Sequence, residues 1–123
     1  MIGYTTVGTN DFSRAASFYD ALFEPLGAVR AMEASDFIAW GKAPNEPMFS
    51  IHIPADGKLA TVGNGVMIAL LTDSREQVAT VYQRAIQLGA MDEGKPGPRG
   101  DSGFYAAYFR DLEGNKLNVH SML

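Results

Sequence analysis

The sequence of 123 residues contains no cysteine, which excludes disulfide bonds, thiolate metal sites and cysteine nucleophiles. It has no apolar run close to the roughly 20 residues that a membrane helix needs, and its opening MIGYTTVG lacks the features of a signal peptide. Basic residues number 10 against 14 acidic ones, without a basic cluster. We therefore expect a cytoplasmic protein with neither nucleic acid nor a membrane as a partner.

The residues that are present indicate an ordinary folded domain. Hydrophobic residues make up 46% of the chain and charged residues 20%, which is typical of a globular protein and too apolar for a disordered one. The length suits a single domain, residues 1–123, with a substantial core.

Hydrophobic periodicity and turn signals predict the same order of elements twice: one strand, one helix, then three strands. In the first module, about 1–55, the helix begins at Asn10 or Asp11, and in the second, about 64–123, at Asp73 or Ser74. The predicted strands are Ile2–Gly8, Val29–Glu33, Phe37–Lys42, Met48–Ile53, Val66–Thr72, Met91–Gly94, Phe104–Arg110 and Lys116–His120. PADGKLATVGNG connects the modules, and KPGPRGDSG is predicted to be a loop.

The stretch RDLEGNKLNVH shows how the last strand divides its side chains. Alternation places Leu117 and Val119 on one face and Lys116, Asn118 and His120 on the other. A polar face of this kind is either the solvent-exposed side of a sheet or the wall of a functional site.

Three stretches resemble the vicinal oxygen chelate superfamily of glyoxalases, bleomycin-resistance proteins and extradiol dioxygenases. They are YTTVGTNDFSRAASFYDALFEPLGA, GNGVMIALLTDSREQVATVYQRAIQLGA and GFYAAYFRDLEGNKLNVH, and they cover nearly the whole chain. The resemblance implies an α+β fold in which two βαβββ modules form an open, barrel-like cup. It also implies a homodimer, side by side or domain-swapped, and a small molecule bound in the cup.

Enzymes of the superfamily hold a divalent metal in the cup, but this chain departs from them at the ligand positions. Where relatives place histidine or glutamate, the resemblance aligns Tyr4, Met67 and Asn118. A phenol, a thioether and an amide suit a divalent metal poorly. The remaining ligand position falls on Ser50 or His52. We therefore expect no cofactor, with a divalent metal as the alternative.

His52 and His120 are the only histidines, and together with Tyr4 they are the candidates for acid–base catalysis. The candidate substrate pocket comprises Tyr4, Thr6, Trp40, Ser50, His52, Met67, Tyr108, Lys116, Asn118 and His120.

Three functions remain open. The first is a protein that binds or transforms a small molecule without the usual metal. The second is a metal-dependent lyase, isomerase or dioxygenase with relocated ligands, among them His52 and His120. The third is a non-catalytic dimeric module with a vestigial pocket. The sequence does not select a substrate.

Overall fold

The computed structural model describes residues 1–122, which divide into two compact units, Met1–Val62 and the part that begins at Gly63. The first unit contains β1 (Tyr4–Gly8), α1 (Phe12–Phe23), β2 (Val29–Glu33), β3 (Phe37–Gly41) and β4 (Met48–His52). The second contains β5 (Ile68–Leu71), α2 (Arg75–Gln87), β6 (Met91–Pro98), β7 (Tyr105–Arg110) and β8 (Lys116–Ser121). The predicted α+β fold with two βαβββ units is confirmed.

Each helix begins at a polar N-cap residue. For each helix the sequence offered two candidates for this residue. For α1 the cap is Asp11, whose carboxylate accepts a hydrogen bond from the backbone N–H of Arg14 at 3.2 Å. The side-chain amide of Asn10 instead donates to the backbone oxygen of Ala60 and accepts from its backbone N–H. For α2 the cap is Ser74, whose hydroxyl accepts from a backbone N–H one turn further on.

A glycine with a left-handed backbone follows each helical segment. Gly27 (φ +74°) ends the short 3-10 turn, Glu24–Leu26, that follows α1, and Gly89 (φ +103°) follows the C-cap of α2. Apolar side chains at helical spacing face the sheet of the same unit. They are Ala15, Ala16, Phe18, Tyr19, Leu22 and Phe23 on α1, and Val78, Val81, Tyr82 and Ala85 on α2. No helix in the described part of the chain is long and apolar enough to span a membrane.

The two four-stranded sheets have the same topology, in the orders β1-β4-β3-β2 and β5-β8-β7-β6. In each sheet the first strand runs parallel to the last strand of its unit, and the other neighbours are antiparallel. The helix after the first strand therefore crosses over one face of the sheet. The opposite face is not covered by the helix of its unit.

The main departure from the predicted elements is the length of β6. The sequence predicts a strand over Met91–Gly94 and a loop from Lys95, whereas β6 continues to Pro98. Pairing with β7 extends to Pro98, opposite Tyr105, through register shifts on either side of Gly94. Prolines and glycines that would end a central strand are tolerated in an edge strand such as β6. The loop predicted from these residues was therefore wrong.

Candidate functional site

A pocket of about 270 Å³ lies on the face of the first sheet that is turned away from α1. Its lining residues are Tyr4, Thr6, Met32, Phe37, Ala39, Met48, Ser50 and His52. Strand register aligns them in rows. One row runs across all four strands through Thr6, Ser50, Ala39 and Met32, and the next pairs His52 with Phe37.

The pocket is mainly apolar, with polar groups contributed by β1 and β4. The hydroxyl of Ser50 donates a hydrogen bond to the backbone oxygen of Thr5 at 2.9 Å, which ties β4 to β1. Tyr4 and Thr6 are exposed on the outer strand and keep hydroxyl groups available to a ligand.

His52 is held in a defined orientation at one end of the pocket. Its Nδ1–H donates to the carbonyl oxygen of Ile53, and its ring stacks on Phe37, with centroids 6.0 Å apart and planes inclined by 7°. Nε2 lies 3.9 Å from a carboxylate oxygen of Asp36. Because Nδ1 faces a carbonyl, which can only accept, the proton of the neutral ring is on Nδ1 and the lone pair is on Nε2.

Trp40 does not belong to this pocket, contrary to its place in the predicted set. It alternates with Ala39 on β3, so its ring lies on the α1 side, where only 2% of its surface is exposed. The ring packs against Tyr19 and Phe23, with centroid distances of 5.7 Å in both cases. Its Nε1–H donates to Asp20 at 2.9 Å. Trp40 is therefore a core residue of the first unit.

The other predicted site residues belong to the second unit. Tyr108, on β7, and Lys116, Asn118 and His120, on β8, share the sheet face turned away from α2, where Tyr108 lies opposite Asn118 in the register. Met67 precedes β5, which begins one residue later than the methionine.

His120 and Asn118 form a hydrogen-bonded pair on this face. Nδ1 of His120 lies 2.9 Å from the side-chain oxygen of Asn118, which is almost completely buried. Burial lowers the pKa of His120 below its ordinary value of 6.5, since the charged imidazolium loses solvation. The ring of Phe104 lies 5.3 Å away, centroid to centroid.

The two histidines occupy equivalent positions in their units. The backbone oxygen of His52 accepts a hydrogen bond from the N–H of Thr9 at 3.1 Å, and that of His120 accepts from Thr72 at 2.8 Å. Each ring also contacts one phenylalanine. The sequence placed both histidines at strand ends but did not reveal this equivalence.

Sequence reasoning missed four apolar lining residues, namely Met32, Phe37, Ala39 and Met48. Alternation on β4 could have found Met48, because it shares the parity of Ser50 and His52. Met32 carried no such signal, since a bulge between Arg30 and Met32 shifts the register of β2.

The donor groups do not fit the divalent metal that the resemblance implies. Tyr4, Met67 and Asn118, which the resemblance places at the ligand positions, offer neither imidazole nor carboxylate. Within residues 1–122 no group of three or more histidine, cysteine, aspartate or glutamate side chains is arranged to hold a metal ion. The His52–Asp36 pair supplies two such groups, one short of the usual three protein ligands.

The fold and the sequence together identify the class of protein. The model of the glyoxalase/bleomycin resistance protein/dioxygenase superfamily matches residues 1–119, and the chain belongs to that superfamily. No curated protein sequence is detectably similar to it.

Several solved structures are similar to this chain. A glyoxalase/bleomycin resistance protein from Albidiferax ferrireducens T118 is 32% identical, with a TM-score of 0.89 and 98% of each chain covered. Lactoylglutathione lyase from Agrobacterium tumefaciens is 21% identical, with a TM-score of 0.71 and coverage of 98% of this chain and 92% of that one. The fosfomycin resistance protein FosX from Mesorhizobium loti is 20% identical, with a TM-score of 0.68 and coverage of 98% and 90%. At these two lower identities the likeness concerns the fold alone.

Proposed function

We propose that this protein binds a small, largely apolar organic molecule in the pocket of the first unit, without a metal at the positions that the superfamily uses. The observation that carries the proposal is the pocket itself. Its volume of about 270 Å³ lies just under the lower end of the range for ligand sites, about 300 Å³. A ligand of one ring or a short branched chain matches this size.

The chemistry of the lining gives each part of such a ligand a partner. Met32, Met48 and Phe37 offer an adaptable apolar surface, and methionine in particular follows irregular shapes. His52 offers Nε2 as a hydrogen-bonding atom, because its other ring nitrogen is engaged by the carbonyl oxygen of Ile53. We expect a ligand with an apolar body and one hydrogen-bonding group directed at this nitrogen.

The metal-free part rests on the donor set, because a phenol, a thioether and an amide replace the expected imidazole and carboxylates.

Methionine methyl groups provide a direct test of the pocket. Met32 and Met48 line it, whereas Met91 and Met122 are exposed elsewhere and serve as internal controls. With ¹³C-methyl methionine, neutral aromatic and aliphatic fragments should shift the signals of Met32 and Met48 in a saturable manner. Equal shifts at all four methionines, or none, would contradict the proposal.

A matched pair of variants separates pocket binding from general effects. Thr6→Phe places a ring in the pocket and should abolish the fragment shifts, whereas Thr80→Phe makes the same change on an exposed turn of α2 and should preserve them. Thermal unfolding checks that both variants fold. Metal analysis of protein purified without chelators tests the remaining part, and stoichiometric zinc, nickel, manganese or iron would overturn the metal-free assignment.

A further inference from the structure

An asparagine followed by a glycine, Asn64-Gly65, forms an exposed turn shortly before β5. Both residues are exposed, and Gly65 has a left-handed backbone with φ +88°. The turn is tight, because a Cβ at Gly63 would lie 2.6 Å from Cγ2 of Val66. Since glycine has no Cβ, its backbone nitrogen is the one that a preceding asparagine side chain approaches with the least hindrance.

Neither of the two groups that could react with each other at this turn is held by a hydrogen bond. Among residues 1–122, the side-chain amide of Asn64 and the backbone N–H of Gly65 have no hydrogen-bond partner. Nothing lies within 4 Å of a Cβ built at Gly65, so the space beside its backbone is open. The side chain and the backbone can therefore rotate toward each other without breaking a contact.

The other four asparagines of the chain are constrained, and none of them precedes a glycine. Asn10 and Asn115 use their side-chain amides in hydrogen bonds, and Asn118 is almost completely buried. Asn45 is exposed, but the backbone N–H that follows it donates to a carbonyl oxygen at 3.3 Å. Only at Asn64 do an unbound amide, an unbound N–H and a glycine coincide.

A second exposed turn has the same kind of glycine but bound groups. Asp56 precedes Gly57, whose backbone is also left-handed at φ +74°. The N–H of Gly57 donates to the oxygen of Pro54 at 3.0 Å. The carboxylate of Asp56 accepts from the backbone N–H of Lys58 at 2.9 Å. The two turns therefore separate the effect of the glycine from the effect of the hydrogen bonds.

We propose that Asn64 is a site of spontaneous deamidation. The backbone nitrogen of Gly65 gives up its proton and forms a bond to the side-chain carbonyl carbon of Asn64, which closes a succinimide ring. The bond from that carbon to the side-chain nitrogen breaks, and the nitrogen leaves as ammonia with the proton. Water then opens the ring at one of its two carbonyl carbons and gives aspartate or isoaspartate. This reaction does not depend on the pocket of the first unit.

The products change the chain directly before an edge strand. Both carry a new carboxylate, and isoaspartate also adds a carbon to the main chain. β5 pairs only with β8 in its sheet, so few contacts oppose a change at its start. We expect the isoaspartate form to loosen the beginning of β5, because the longer main chain no longer fits the tight approach of Gly63 to Val66.

An Asn-Gly pair introduced in the bound turn provides a matched comparison. Asp56→Asn creates this pair where both groups are hydrogen-bonded. The variant is incubated at mildly alkaline pH, and peptide mass spectrometry follows the replacement of the side-chain NH₂ by OH at both positions. Each rate is divided by the rate at the same position in guanidinium-unfolded protein, which removes the influence of neighbouring residues.

We expect this quotient to be severalfold larger for Asn64 than for the replaced position. A quotient for Asn64 that is no larger, or no reaction at Asn64 in the folded protein, would overturn the proposal.

The Asn64→Gln variant tests the assignment without relying on the fold of Asp56→Asn. Glutamine closes the corresponding ring far more slowly, because its side chain is longer. On anion exchange, the incubated wild type should accumulate a species with one more negative charge, whereas Asn64→Gln should not. Equal accumulation in both proteins would place the reaction at another asparagine and refute the assignment to Asn64.

Discussion

The side-chain oxygen of Asn118 lies 2.9 Å from Nδ1 of His120, and the amide is almost completely buried. An amide oxygen accepts, so the imidazole donates from Nδ1 and presents its lone pair at Nε2. The resemblance to the superfamily aligns Asn118 with a metal-binding glutamate. In this chain the same position orients a histidine.

Replacing Asn118 by aspartate should raise the pKa of His120. A carboxylate at this distance favours the charged imidazolium, whereas burial in the wild-type protein disfavours it. Titration of the histidine ring protons by NMR measures the change, and the Asn118→Leu variant controls for loss of the hydrogen bond. An unchanged or lower pKa in Asn118→Asp would show that the pair is not in contact in solution.

The stability of the protein should depend on the protonation of His120. Because its pKa in the folded protein is below 6.5, the unfolded chain binds more protons between the two values. The free energy of unfolding therefore rises with pH through this window and reaches its full value above 6.5.

Urea unfolding at about pH 5 and about pH 7.5 measures this dependence. His120→Gln should lose less stability on acidification than the wild type, while the contribution of surface carboxylates is common to both proteins. Asn118→Asp should also weaken the pH dependence of the unfolding free energy, because it raises the pKa of His120. Identical slopes in all three proteins would contradict the assignment.

Asp20 should matter to stability although it is partly exposed. Its carboxylate accepts from Arg30 at 2.9 and 2.7 Å and from Nε1 of Trp40 at 2.9 Å. The hydrogen bond from Arg30 lowers the pKa of Asp20 below 3.8, so its stabilising effect is present above 3.8 and is lost as the pH falls through the lowered value.

We expect Asp20→Ala to cost about 1–2 kcal/mol in unfolding free energy, since Trp40 loses its acceptor. Asp20→Asn should recover part of this loss by keeping an acceptor for Trp40. Glu33→Gln removes only the exposed partner of Arg30 and should cost about 0–1 kcal/mol. Trp40 is the only tryptophan, so its fluorescence reports the unfolding directly. Equal costs for Asp20→Ala and Glu33→Gln would refute the role of the indole hydrogen bond.

Gly94→Ala should destabilise the protein by about 1 kcal/mol or more, because φ at this residue is +156° and the added methyl group approaches Arg99 and Tyr108. The side-chain Nε–H signal of Arg99 should move as well. Gly3→Ala is the control, since nothing lies within 4 Å of a Cβ built there. Chemical denaturation compares the two variants, and equal stability would show that the arginine does not lie over Gly94.

The helices and most strands could be predicted because their apolar residues recur at regular spacing and their ends carry caps and glycines. The polar phase of β8 followed from alternation alone, since Leu117 and Val119 are buried and Lys116 and His120 are not. Local patterns of this kind need no knowledge of which strands become neighbours.

Trp40 could not be assigned to a face, because β3 reads FIAWG and is apolar at every position. Alternation distinguishes two faces only where one of them is polar. The full length of β6 could not be predicted either, because the strand continues past Gly94 with shifted register, which no local rule anticipates.

The order of strands has a consequence for synthesis on the ribosome. β1 pairs with β4 and β5 pairs with β8, so the edge strand that starts each sheet waits for the strand made last in its unit. The first sheet has all of its strands once His52 is made. β5 has no partner in its sheet until Lys116–Ser121 emerges, and a nascent chain arrested before this point exposes an unpaired apolar strand. Chaperones that recognise such strands would therefore engage each half of the chain until its last strand emerges.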